Sequence, residues 1–246
     1  MSQGASPANQ QIFTPVKSKR TFEEVSANIK ELILDGTLKV GDRLPPETQL
    51  AQQFNVGRQT IREALRLLEL SGFITVQRGG GGGTIIKDTI LRRISDLFTD
   101  AFRMRRVTIE AITEARLEVE RIILGYALNN ARPADLERLA DNVRQARKVV
   151  TAGCMASDLN AQFHVLLAKA TGNEVFVMVL ESIMAVHMDF LSRVGASLET
   201  SAKVVQAHEQ LLEAMTQGDR QRAQSLLESH LTEVRERLHQ VEQEEA

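Results

Sequence analysis

The chain has 246 residues, of which 43% are hydrophobic and 25% charged, a balance that excludes a disordered chain and leaves room for one large domain or two ordinary ones. Its net charge is only −2, but residues 1–87 carry 11 Lys/Arg against 8 Asp/Glu and the remainder 19 against 24. That asymmetry has the sign expected of a nucleic-acid-facing front and a self-contained rear.

Residues 1–20 are small and polar, end in Lys17, Lys19 and Arg20, and read as a flexible arm or a solvated tail. They lack the apolar stretch a secretion signal needs. From Thr21, Phe22, Val25, Ile29, Leu32 and Ile33 recur on one helical face until Asp35-Gly36 stops it. Gly41 and Pro45-Pro46 precede a short helix, Glu47 to Phe54, and Asn55-Val56-Gly57 turns into a third, Arg58 to Leu70. There Ile61, Ala64, Leu65 and Leu68 supply a buried stripe. Arg58, Arg62 and Arg66 line the opposite face with Gln59 beside them, and Thr60 stands at the helix start. Arginine pairs with guanine, glutamine with adenine, and threonine reaches a phosphate or a methyl group, so this face suits a major groove. It equally suits a solvated surface in which Arg62 pairs with Glu63 or Glu69.

Phe73 to Val76 and Thr84 to Ile86 flank a glycine run, Gly79 to Gly83, and read as a hairpin. A strand rather than a helix follows the glycines, and no Lys-Ser/Thr pair does, so neither a dinucleotide loop nor a P-loop is expected. Three helices and a hairpin give a winged helix-turn-helix domain over 21–88.

From Leu91 every segment has helical period, with breaks at Val107, Asn129 to Arg132, Gly153, Gly172-Asn173, Ala196-Ser197 and Gly218. The fold expected is mostly α, with six or seven helices bundled over 91–241. The single cysteine, Cys154, can form no internal disulfide, so a reducing compartment is the default. The longest apolar run, Val175 to Leu180, is read as too short for a bilayer. A cytoplasmic chain with no membrane partner is expected. Arg116 falls on an apolar face with Ile112, Val119 and Ile123, where it either pairs with Glu120 or awaits an anionic ligand. His208 and His230 sit within apolar stripes, and Asn160 and His164 lie four apart on one face. Such groups form either hydrogen-bonded core residues or a cage for a divalent metal. His187 also lies on an apolar face, whereas His239 is assigned to solvent.

The segment Leu44 to Ile74, with its Arg62-Glu63-Ala64-Leu65 core and Leu68-Glu69, resembles the N-terminal domain of the GntR family of bacterial transcription regulators. The resemblance implies DNA contacts from Arg58, Gln59, Thr60 and Arg62, and from Arg78 and Gly79 at the hairpin tip in the minor groove. Thr48 stands where that family usually has Arg, and Gly57 where it often has Ser or Thr, which implies an altered operator preference. Residues 91–240 resemble the helical FCD effector domain of the FadR subfamily, through Arg116-x-x-x-Glu120, Phe163-His164, Thr171-Gly172-Asn173, His208 and His230. This implies a divalent metal, zinc first, with nickel and manganese as alternatives, held by Asn160, His164, His208 and His230. Asn160 replaces the usual Asp and removes one negative charge. The resemblance also implies a small carboxylate effector held by Arg116 and lined by His187.

The function expected is a homodimeric transcription regulator, a repressor before an activator, which reads a palindromic operator and responds to that acid. No catalytic residue is expected. A metal-dependent hydrolase is the alternative, but Glu209 beside His208 has no second His at H-E-x-x-H spacing. A ligand-free architectural DNA binder is another, and leaves the polar residues of the rear core without a role.

Overall fold

The computed structural model describes residues 21–77, 83–104, 107–195 and 197–245. The chain divides into two compact units, residues 1–90 and 91–246.

The first unit holds α1 (Thr21–Leu34), α2 (Glu47–Gln53), α3 (Arg58–Leu70), β1 (Ile74–Gln77) and β2 (Gly83–Ile86). The apolar stripe of α3 is fully inside: Ile61, Ala64, Leu65 and Leu68 pack with Val25 and Ile29 of α1, Leu50 of α2 and Ile74 and Ile86 of the hairpin. Burying a side chain of the size of Leu68 is worth about 1.5–3 kcal/mol, so this stripe holds the three helices together. The turn between α2 and α3 places Asn55 in the left-handed region at φ 50°, and Gly72, at φ 83°, swings the chain from α3 into β1. The two strands pair antiparallel, Ile74 opposite Ile86 and Gln77 opposite Gly83, and Arg43 bridges to Ile85 beside them. The architecture is a winged helix-turn-helix. The wing tip, including Arg78 and Gly79, lies outside the described residues.

The second unit is all-helical. Its elements are α4 (Ile90–Arg103), α5 (Ile109–Asn130), α6 (Pro133–Thr151), α7 (Ser157–Lys169), α8 (Glu174–Val194), α9 (Leu198–Thr216) and α10 (Arg220–Glu245). Caps explain several starts: Thr108, Asn173 and Ser197 each accept a backbone N–H of the turn they precede. The main core joins Ile123, Leu139, Phe163, Leu167, Leu180, Leu211 and Leu227 from six helices.

The membrane reading from uninterrupted apolar runs is incomplete. Glu174–Ser192 is long and apolar enough to cross a bilayer by length and mean hydropathy, despite Glu181 and Asp189. Its apolarity has another use here, because Val177, Leu180, Ile183, Met184, Val186 and Phe190 are buried in the bundle. It is a core helix.

Candidate functional site

On the exposed face of α3, Arg58, Gln59, Arg62 and Arg66 all reach solvent, and Thr60 is half-buried. Gly57 caps the helix without a side-chain hydrogen bond, so backbone N–H groups of the first turn point off its end, an arrangement suited to phosphate. Arg62 does not pair with Glu63 or Glu69: its Nε donates to Oε2 of Glu47 on α2 at 2.8 Å. The pair is exposed and worth at most about 1 kcal/mol, so it aims the guanidinium without locking it. Gln59 Nε2 donates to Glu63 at 3.2 Å.

In the helical unit, α7, α9 and α10 each deliver one buried histidine to a common point. The potential ligand atoms of His164, His208 and His230 lie within 4.8 Å of one another. Phe163 stacks on His208 with ring centroids 4.0 Å apart, and the rings of His164 and His230 lie nearly parallel. From α5, Glu120 is fully buried and binds two neighbours: Arg116 Nε donates to Oε1 at 2.7 Å, and His164 Nδ1 lies 2.5 Å from Oε2. Burial alone would raise the Glu120 carboxyl, but the His164 ring and the Arg116 guanidinium beside it outweigh that and hold it at about 2. An ionised carboxylate only accepts, so His164 carries its proton on Nδ1 and turns the Nε2 lone pair toward His208 Nε2, 3.1 Å away. Burial holds all three imidazoles below their ordinary value, and the neighbouring imidazoles and Arg116 further disfavour a proton on His208 and His230. Neutral imidazole is the form that binds metal.

Two buried atoms at this place have no hydrogen-bond partner among the described residues, His230 Nε2 and Asn160 Oδ1. The Asn160 amide nitrogen meets Ser201 Oγ at 3.4 Å, which leaves the oxygen unspent. An orphaned buried acceptor costs about 1–3 kcal/mol, and a cation held by the three imidazoles would give the His230 Nε2 atom a partner. The donor set therefore fits a divalent metal.

His164 and His230 of the cluster border a cavity of about 420 Å³, within the range of small-molecule sites. Arg116, Asn160, His164, His187 and His230 all line it. His187, from α8, is buried and its ring nitrogens lie 3.4 and 3.5 Å from Arg116 Nη1; burial, then Arg116, pushes it well below its ordinary value. Sequence reasoning expected Arg116, His187 and the metal set around one pocket; Arg116, His187, Asn160, His164 and His230 do line one cavity, while His208 meets His164 beside it. It missed three things: Glu120 as the link between Arg116 and His164, the hydroxyl wall of Ser157, Ser197, Thr200 and Ser201, and Arg237. The spacing of seven between His230 and Arg237 was the available signal for the last. His239 is exposed.

A winged helix-turn-helix head and a helical unit with a cavity lined by histidines and arginines together are the build of a transcription regulator with an effector domain. Residues 21–83 match the profile of the gntR family of bacterial regulatory proteins, and residues 111–233 that of the FCD domain. The chain belongs to the GntR family and carries an FCD effector domain, a domain type known to bind metals and small-molecule effectors. It is 27% identical to the HTH-type transcriptional regulator LutR of Bacillus subtilis, over 84% of this chain and 96% of that one. It is 26% identical to the Exu regulon transcriptional regulator of Escherichia coli, over 87% and 82%. It is 27% identical to the transcriptional repressor NanR of Citrobacter rodentium, over 94% and 90%. Among solved structures, a Streptococcus agalactiae GntR protein aligns with a TM-score of 0.66 and 26% identity, covering 87% of this chain and 99% of that one. These relatives are regulators, not enzymes.

Proposed function

We propose that this chain is a cytoplasmic homodimeric repressor whose affinity for a palindromic operator is set by a small organic acid in the helical cavity. The observation that carries the reading is a buried imidazole triad, His164, His208 and His230, two of whose members line the same cavity as Asn160 and the buried Arg116 guanidinium. Residues 21–88 form the reading head and 91–241 the effector and dimerisation domain; the arm expected over 1–20 lies outside the described residues. Arg58, Gln59, Thr60 and Arg62 contact the operator from α3, and Arg78 and Gly79 from the wing.

His164, His208, His230 and Asn160 hold the metal, with zinc the first choice for an imidazole-rich set. When bound, the ion supplies a positive anchor for a carboxylate. Arg116, fixed by Glu120, faces the same cavity and binds the acid, with His187 beside it. An acid acts on the operator only through unequal affinity for two arrangements of the dimer. Two unpartnered apolar surfaces support self-association: α4 exposes Leu97 and Phe98, and α5 and α8 expose Ile122, Tyr126, Val175 and Val179. A single head also reads too few base pairs for useful specificity.

Elemental analysis of the purified chain tests the metal. About one divalent ion per chain is expected, with loss of the ion and of its thermal stabilisation in His208→Ala. Protein without metal, and without stabilisation by added zinc, nickel or manganese, overturns it.

A further inference from the structure

The cavity holds a second cation. Arg237 of α10 lines it together with Arg116, is half-buried, and forms no ion pair with a carboxylate among the described residues. Burial lowers Arg237 from its ordinary value; Glu233, one turn earlier, works against that at longer range, and the Arg116 guanidinium adds to the lowering. Glu120 cannot neutralise it, since its two oxygens are taken by Arg116 and His164. Two guanidinium groups thus line a cavity that no carboxylate lines among the described residues, and a partly desolvated cation without a counter-charge is costly.

The helices supply a ruler. Arg237 lies seven residues, two turns, beyond His230, so the two share a face about 10 Å apart along the axis. On α9, Ser201 lies the same seven residues from His208. His230, Arg237 and Ser201 all line the cavity. Met188, Leu191 and Val234 give the cavity apolar lining, and Ser197, Thr200 and Ser201 give it hydroxyls.

We propose that Arg237 is a second anion-binding residue and that the cavity takes a linear dicarboxylate, one end toward Arg116 and the other on Arg237. This rests on the reading that an organic acid binds at Arg116. The methylene spacer lies on the apolar lining, and any hydroxyl on that spacer meets the serines and Thr200. Arg237 thereby sets which acids are accepted.

Isothermal titration of the full chain with succinate and glutarate, against butyrate and valerate of the same chain lengths, tests the assignment. The dicarboxylates are expected to bind at least about tenfold tighter, equivalent to about 1.4 kcal/mol. Arg237→Gln should bring them down to the level of the monocarboxylates, whose own affinity stays within about twofold, while Arg237→Lys, which keeps the charge, retains the preference and serves where Arg237→Gln folds poorly. Equal affinities for the two classes in the wild type, or an equal loss of both in Arg237→Gln, overturn the role of Arg237 and leave the effector reading standing. Failure of all four acids to bind the wild type overturns both.

Discussion

Glu120→Gln removes one charge from the buried network while keeping its shape. The Arg116 and Glu120 side chains are 3% and 0% exposed and 2.7 Å apart, so water does not screen the loss. Removing one partner of such a pair costs about 3–5 kcal/mol, chiefly because the other charge is left uncompensated. The glutamine amide still meets one neighbour, which places the expectation near the low end, about 3 kcal/mol. For a domain of this size each kcal/mol moves the melting temperature by roughly 2–4 °C, so the helical unit should melt roughly 6–12 °C earlier. Differential scanning calorimetry of metal-free protein reads this directly. Since Glu120 also fixes the His164 ring, zinc affinity should fall by about 10–100-fold. Replacing both Arg116 and Glu120 by methionine should destabilise less than Glu120→Gln alone. A Glu120→Gln transition within 1 °C or so of wild type, or a double variant worse than the single one, would refute the reasoning.

Arg62→Ala should weaken binding to the specific operator by about 1–3 kcal/mol and to random DNA far less; equal losses in anisotropy titrations would reduce Arg62 to a phosphate contact. Specific binding should fall steeply between low and moderate salt as lysine and arginine contacts release counterions, and a flat salt titration counts against the DNA interface. Asn160→Asp should tighten zinc binding, because it adds a charged oxygen where an orphaned neutral one stands, yet lower the melting temperature of the metal-free protein by burying a carboxylate. Competition with a chelating dye and a melting curve read the two effects, and a variant that binds zinc no better removes Asn160 from the site. Asn173→Ala, which deletes the cap accepting Val175 N–H at 3.0 Å, should cost about 1 kcal/mol in denaturant unfolding.

The front unit was legible because its helices obey one period: the stripe Ile61, Ala64, Leu65, Leu68 requires burial and leaves Arg58, Arg62 and Arg66 outside. The partner of Arg62 was not legible, because Glu47 comes from another helix and only the packing of α2 on α3 brings it near. In the rear, a histidine in an apolar stripe signals a special role residue by residue, and the family resemblance joined His164, His208 and His230 into one set. Periodicity could not reveal that Glu120 reaches across 44 residues to His164 as well as along its own helix to Arg116. Arg237 was hidden for the opposite reason. It sits among Glu233, Arg235 and Glu236, where a charged run reads as a solvated face, and only the packing of α10 turns it into the cavity. The apolarity of α8 was underestimated because single charges interrupt the run without changing which face the bundle buries.

The central claim is that occupancy of the helical cavity changes operator affinity. Its most direct test selects an operator from random DNA with the full chain, then measures the dissociation constant for that operator with and without a saturating organic acid. The wild type should show a change of roughly 5–150-fold, the range of about 1–3 kcal/mol of coupling, and Arg116→Ala should bind the same operator with no response to the acid. An operator affinity that no acid shifts in the wild type, or that shifts equally in Arg116→Ala, would contradict the account.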